Sequence, residues 1–141
     1  PDAAPSARLV GDVMDAALMR FGPYLAKDDA TYFGYSQGAM LAPSIWTAPA
    51  ANQPLHFSSA VLLEGLPAQV AGLPQKMHSA GLRRVLLVSG QGGWAGGHAS
   101  LAAALRTQGV DTKHLALAFG HVPTVAVVDV LAHESAWLRP N

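Results

Sequence analysis

Ser59-Ala60-Val61-Leu62-Leu63 runs apolar after its opening serine, with no polar residue at alternate positions. A strand without alternation is covered on both faces, which is the pattern of a parallel sheet between helices. Arg84-Val85-Leu86-Leu87-Val88 is a further strand, closed by Ser89-Gly90, and Lys113 to Phe119 is another. Thr31-Tyr32-Phe33 is β-branched and aromatic, a composition that suits a pleated strand. Helical runs separate them. Ser6 is placed to cap a first helix, in which Leu9, Val10, Val13, Met14, Ala17, Leu18 and Phe21 recur at helical spacing. Gly22-Pro23 ends it. A second helix runs from Ala39 to about Trp46, with Pro43 expected to kink it. A short helix is expected around 75–79, one over 99–108 closed by Gly109, and a last one over 124–138. Pro1 to Pro5 reads as linker, Lys27-Asp28-Asp29 as a turn, and 47–56 and 90–97 as loops. Strands alternating with helices predict a single α/β domain whose parallel sheet is joined by right-handed crossovers.

The 141 residues suffice for one core. Net charge is zero, so no basic surface points to nucleic acid or an anionic membrane. No apolar run nears the ~18 residues of a transmembrane helix. Charged residues make up only 13%, against roughly 25% in an ordinary soluble domain. Surface so poor in charge is expected to be covered by something. There is no cysteine, hence no disulfide or thiolate ligand.

Between the strand at 31–33 and the helix that follows stands Gly34-Tyr35-Ser36-Gln37-Gly38, a G-x-S-x-G motif. Strand, motif, helix is the context in which this pattern carries a nucleophile. The turn is tight, so positions two before and two after the serine are expected to lack bulk, hence Gly34 and Gly38. Ser36 is expected in a strained backbone conformation that lifts its hydroxyl above the sheet. In a parallel sheet, reactive groups collect at the carboxyl ends of the strands. His121, in Phe119-Gly120-His121 past the fourth strand, shares that edge with Ser36 and is placed to act as its base. His56, His78, His98, His114 and His133 show no metal-ligand spacing and receive no functional reading.

A helix, a strand entering Gly-Tyr-Ser-Gln-Gly-Ala, three further strands and Gly-His before a last helix resemble the C-terminal half of an α/β-hydrolase. The elbow itself is similar to those of cutinase-like and carboxylesterase-like members, although cutinases typically carry disulfides. The resemblance implies Ser36 as nucleophile, His121 as general base and the Gln37 N–H as one oxyanion donor. It implies a carboxylic ester as substrate, and neither a metal nor an organic cofactor.

Two departures stand out. The family's usual acid follows the strand at 84–88, often as Gly-x-x-Asp, but this chain reads Gly90-Gln91-Gly92-Gly93 there. Glu64, directly after the strand at 59–63, is the alternative acid, since some members place theirs after that strand. Asp111 precedes its strand and Asp129 lies within the last helix, so neither reaches the site edge. Second, the family normally has several strands before the elbow, including the loop that supplies the other oxyanion N–H. Only one helix precedes it here. The expectation is a piece of a longer protein, with the missing N-terminal half or a second chain completing the sheet beyond an otherwise open edge.

Two other functions compete. A hydrolase-fold module without activity, serving binding or assembly, is favoured by the glycine where an acid is usual. A dinucleotide-binding unit is favoured by Gly90-Gln91-Gly92-Gly93-Trp94-Ala95, which fits G-x-G-x-x-A, but Asp111 stands at the wrong edge for a ribose.

Overall fold

The computed structural model describes residues 4–22, 29–47, 57–67, 70–122 and 124–139. In chain order the elements are α1 (Ala4–Phe21), β1 (Ala30–Tyr35), α2 (Gln37–Thr47), β2 (Phe57–Leu63), α3 (Leu73–Ser79), β3 (Arg84–Ser89), α4 (Gly92–Thr107), β4 (Asp111–Ala116) and α5 (Val125–Leu138). The strands form one parallel sheet in the order β1-β2-β3-β4. The chain is an α/β fold, as the apolar runs predicted.

Side-chain alternation divides the core. Ala60 and Leu62 of β2, with Val85 and Leu87 of β3, pack against Ala39, Ile45 and Trp46 of α2, Met77 of α3 and Leu105 of α4. Val61, Leu63, Leu86 and Val88 point the other way and meet Val127 and Leu138 of α5. Both faces of the two central strands are therefore dry, which is why β2 and β3 lack polar alternation. β1 alternates instead, with Thr31 and Phe33 exposed. It is paired on one side only among the described residues. Its register sets Gly34 beside Leu62 and Tyr35 beside Leu63.

Four expectations shift. Helix α1 begins at Ala4, so Ser6 is not its cap and Pro5 is not linker. Proline is tolerated in a first turn, where its missing N–H has no helical acceptor to lose. Helix α4 begins at Gly92, inside the stretch expected to be loop. Each glycine there costs about 1 kcal/mol against alanine, yet burial of His98, Ala102 and Leu105 from the same helix overrides that preference. Strand β4 spans 111–116 rather than 113–119. Leu117 and Phe119 lie beyond the strand and pack on the α5 face of the sheet, with the Leu117 N–H still donating to Ser89 O at 2.7 Å. Pro43 lies inside α2 as expected. The turn at 27–28 and the loop at 48–56, with His56, fall outside the described residues.

Candidate active site

Ser36 is the single residue between β1 and α2, and its φ of 50° lies in the left-handed region. A non-glycine residue there costs of order 1–3 kcal/mol. The surroundings hold it: Ser36 N–H donates to Leu63 O at 2.8 Å, and Met40 N–H donates to Ser36 O at 3.1 Å. Gly34 is required, since a Cβ would stand 2.8 Å from the Ala39 nitrogen. Gly38 is not, contrary to expectation, because a Cβ there would meet nothing within 4 Å. The close approach is made by Gly65 instead, where a Cβ would collide with Ser36 O and lie 3.0 Å from Ala39 Cβ.

Glu64 repeats the pattern one strand over. It is the first residue past β2, with φ 51° and no exposed surface. Its own N–H donates to Val88 O at 3.0 Å. Its Oε1 accepts the N–H of Gly90 and that of Gln91, the latter at 3.2 Å. Carboxylate oxygens buried without such donors would cost stability. Gly90 also accepts the N–H of Gly120 at 3.0 Å, which ties the segment carrying His121 to the end of β3. No side chain fits at Gly90, because a Cβ would strike Gly120 O and the Phe119 ring.

These constraints bring the three residues into line. His121 Nδ1 faces Glu64 Oε2 at 3.4 Å, and His121 Nε2 faces Ser36 Oγ at 3.4 Å. Both distances exceed the ~2.6–3.2 Å of a working proton relay, a lengthening usual in unliganded sites, which tighten around substrate. His121 remains 44% exposed, open to a substrate, while the Glu64 side chain behind it is fully buried. Gln37 opens α2, so its N–H has no helical acceptor and lies at the positive end of the helix dipole.

Two positioning residues were not anticipated. The Tyr35 hydroxyl donates to the backbone carbonyl of His121, and the two rings lie 5.5 Å apart. Tyr35 occupies a variable place in the motif, so no pattern marks it. His98 is fully buried; its Nε2 lies 2.9 Å from Gly65 O and its Nδ1 lies 2.7 Å from Ser89 Oγ. Only a protonated Nε2 can donate to a carbonyl, which leaves Nδ1 to accept from Ser89. Ser89 Oγ in turn lies 3.1 Å from His114 Nε2. Burial pushes the His98 pKa down, and burial together with the neighbouring His98 and Arg106 pushes His114 down.

The two other carboxylates weighed as the acid stand elsewhere. Asp111 opens β4 at the far edge of the sheet and accepts the Trp137 indole N–H at 3.0 Å. Asp129 is exposed on α5. Among the described residues no group of three His, Asp or Glu could hold a metal ion, and no helix is long and apolar enough to cross a membrane. No family model and no curated protein matches the chain.

Proposed function

We propose that the protein is a serine hydrolase of α/β-hydrolase type, cleaving a carboxylic ester through an acyl-enzyme. The observation that carries this reading is the Ser36–His121–Glu64 line, its members drawn from the carboxyl ends of β1, β4 and β2. Ser36 Oγ attacks the acyl carbon while His121 Nε2 takes its proton. The resulting oxyanion is stabilised by the Gln37 N–H. His121 returns the proton to the departing alkoxide, and the alcohol leaves. It then removes a proton from water, which attacks the acyl-enzyme, and gives that proton back to Ser36 as the acid is released. Glu64 holds Nδ1–H and stabilises the imidazolium that forms.

Gly93 at the usual acid position weighs less for an inactive module, because Glu64 faces His121 and the backbone N–H groups of the same loop serve its carboxylate. A phosphate-binding role for the same loop is disfavoured on the same ground: the N–H groups of Gly90 and Gln91 are already engaged by a carboxylate. Labelling with a fluorophosphonate tests the proposal. Adduct on Ser36, lost in Ser36→Ala, is the expected result, and a native protein that takes no label overturns it.

A further inference from the structure

Leu66, Pro67 and Val70 after β2, with Leu73 at the start of α3, face Gly96, Gly97 and Ser100 of α4 across an open, mainly apolar groove of about 410 Å³. Its volume falls in the ~300–1,000 Å³ range of small-molecule sites, and among the described residues no charged one lines it. Both walls adjoin the candidate active site along the chain. Leu66 is separated from Glu64 only by Gly65, which packs on the carbonyl of Ser36. On the other wall, the Gln91 N–H is bound to Glu64 Oε1, and Gly96 lies about 7.5 Å further along the helix. His98 clamps the two walls together through Gly65 O at 2.9 Å.

We infer that this groove receives the acyl chain of the substrate, and that the preferred esters are those of uncharged aliphatic acids of medium length. The inference rests on the ester-hydrolase reading for its reacting atoms. A charged chain end would meet no oppositely charged side chain among the described lining residues and would lose part of its hydration against the apolar wall. Each methylene moved from water into the groove favours binding by roughly fourfold, from about 0.8 kcal/mol. The groove stays open because two facing residues have no side chain. A Cβ at Gly97 would already stand 2.8 Å from Leu66 Cδ2, whereas one at Gly96 would meet nothing within 4 Å. Leucine at Gly96 therefore fills space without a clash at its first atom.

The test has two arms. In the first, kcat/KM is measured for the p-nitrophenyl esters of acetic, hexanoic and octanoic acid on the native chain, Gly96→Leu and Ser100→Leu. The native protein should prefer octanoate to acetate by at least tenfold, and both variants should lose that preference. Native turnover without chain-length preference, or a preference kept in both variants, overturns the inference. In the second arm, octanamide, which carries the chain but no cleavable ester, is titrated calorimetrically into Ser36→Ala and into Ser36→Ala/Ser100→Leu. Heat in the first and none in the second supports the groove even if no ester is hydrolysed, in which case the hydrolase reading alone fails. No heat in Ser36→Ala, with the fold verified by circular dichroism, overturns the groove.

Discussion

The N–H of Gly90 is donated to the carboxylate of Glu64. Gly90 opens the loop whose fourth residue, Gly93, stands where the α/β-hydrolase resemblance leads one to look for the acid, so the backbone of that loop supports the carboxylate that the neighbouring strand supplies. Gly90 itself is enforced sterically, since Gly120 O and the Phe119 ring fill the space a side chain would need, whereas a Cβ at Gly93 would meet nothing within 4 Å.

Glu64→Gln and Glu64→Ala should separate chemistry from folding. The glutamine carbonyl can still accept from Gly90 and Gln91, but its NH₂ then faces His121 Nδ1 and favours the wrong tautomer. We expect kcat to fall by about 10⁴ with little loss of stability, as the equivalent change does in serine proteases. Glu64→Ala leaves buried N–H groups unpaired and should also cost about 1–3 kcal/mol in urea unfolding. Equal stability losses in both variants would contradict this account.

Ser36→Ala should remove at least ~10⁴ of the rate without unfolding the chain, because alanine bears the same backbone strain as serine. Ser36→Gly should be equally inactive yet more stable than Ser36→Ala by up to about 1 kcal/mol, since glycine adopts φ 50° freely. Thermal melting of the pair checks it.

Gly90→Ala should displace the segment that carries His121. A misplacement of about 1 Å can cost ~10² in rate, so kcat should drop by roughly that factor. Fluorophosphonate labelling of Ser36 should slow in parallel, because both depend on the same base. Unchanged kinetics would show that the 119–121 segment yields without consequence.

Removing the Tyr35 hydroxyl should act through His121 alone. Tyr35→Phe deletes one hydrogen bond, worth about 0.5–1.5 kcal/mol, and the expected loss in kcat/KM is severalfold to about tenfold. Tyr35→Leu also deletes the ring beside His121 and should lose more. Steady-state kinetics on the two variants provides the comparison.

Stability should fall on acidification because of His98 and His114. Both are held below the ordinary histidine pKa, chiefly by burial. Above about pH 6.5 the folded and unfolded chains are alike in leaving these rings neutral. Below it the unfolded chain binds protons that the folded one refuses, so stability decreases as pH falls. Urea midpoints should be lower at pH 5.5 than at pH 7.5. The difference should shrink in His98→Gln, which retains an amide donor for Gly65 O but does not titrate.

What could be read from the residues alone follows from range of interaction. β2 and β3 were legible because burial on both faces writes itself into consecutive apolar positions. Ser36 was legible because a tight turn needs glycine at Gly34, and His121 because strand order fixes which edge it shares. Glu64 could be placed at that edge, but its donors, Gly90 and Gln91, are 26 and 27 positions away along the chain. Gly65 and His98 were not legible at all. Their roles arise where α4 meets the segment after β2, and nothing local marks that meeting. Gly38 was overread, since the space it was thought to clear is cleared by Gly65.

Tyr35 and Leu63 are partners in the β1–β2 register, so Ser36 and Glu64 occupy the next rung together. Side chains in a strand alternate with period two. Sliding β1 by one residue would therefore leave the sheet hydrogen-bonded and turn the serine toward the wrong helix layer. On the proposed hydrolase reading, turnover should therefore report strand alignment to a single residue, a defect that circular dichroism would miss. Mutations distant from the site that kill activity while sparing secondary structure should be sought along β1, where, among the described residues, a single neighbouring strand holds the alignment.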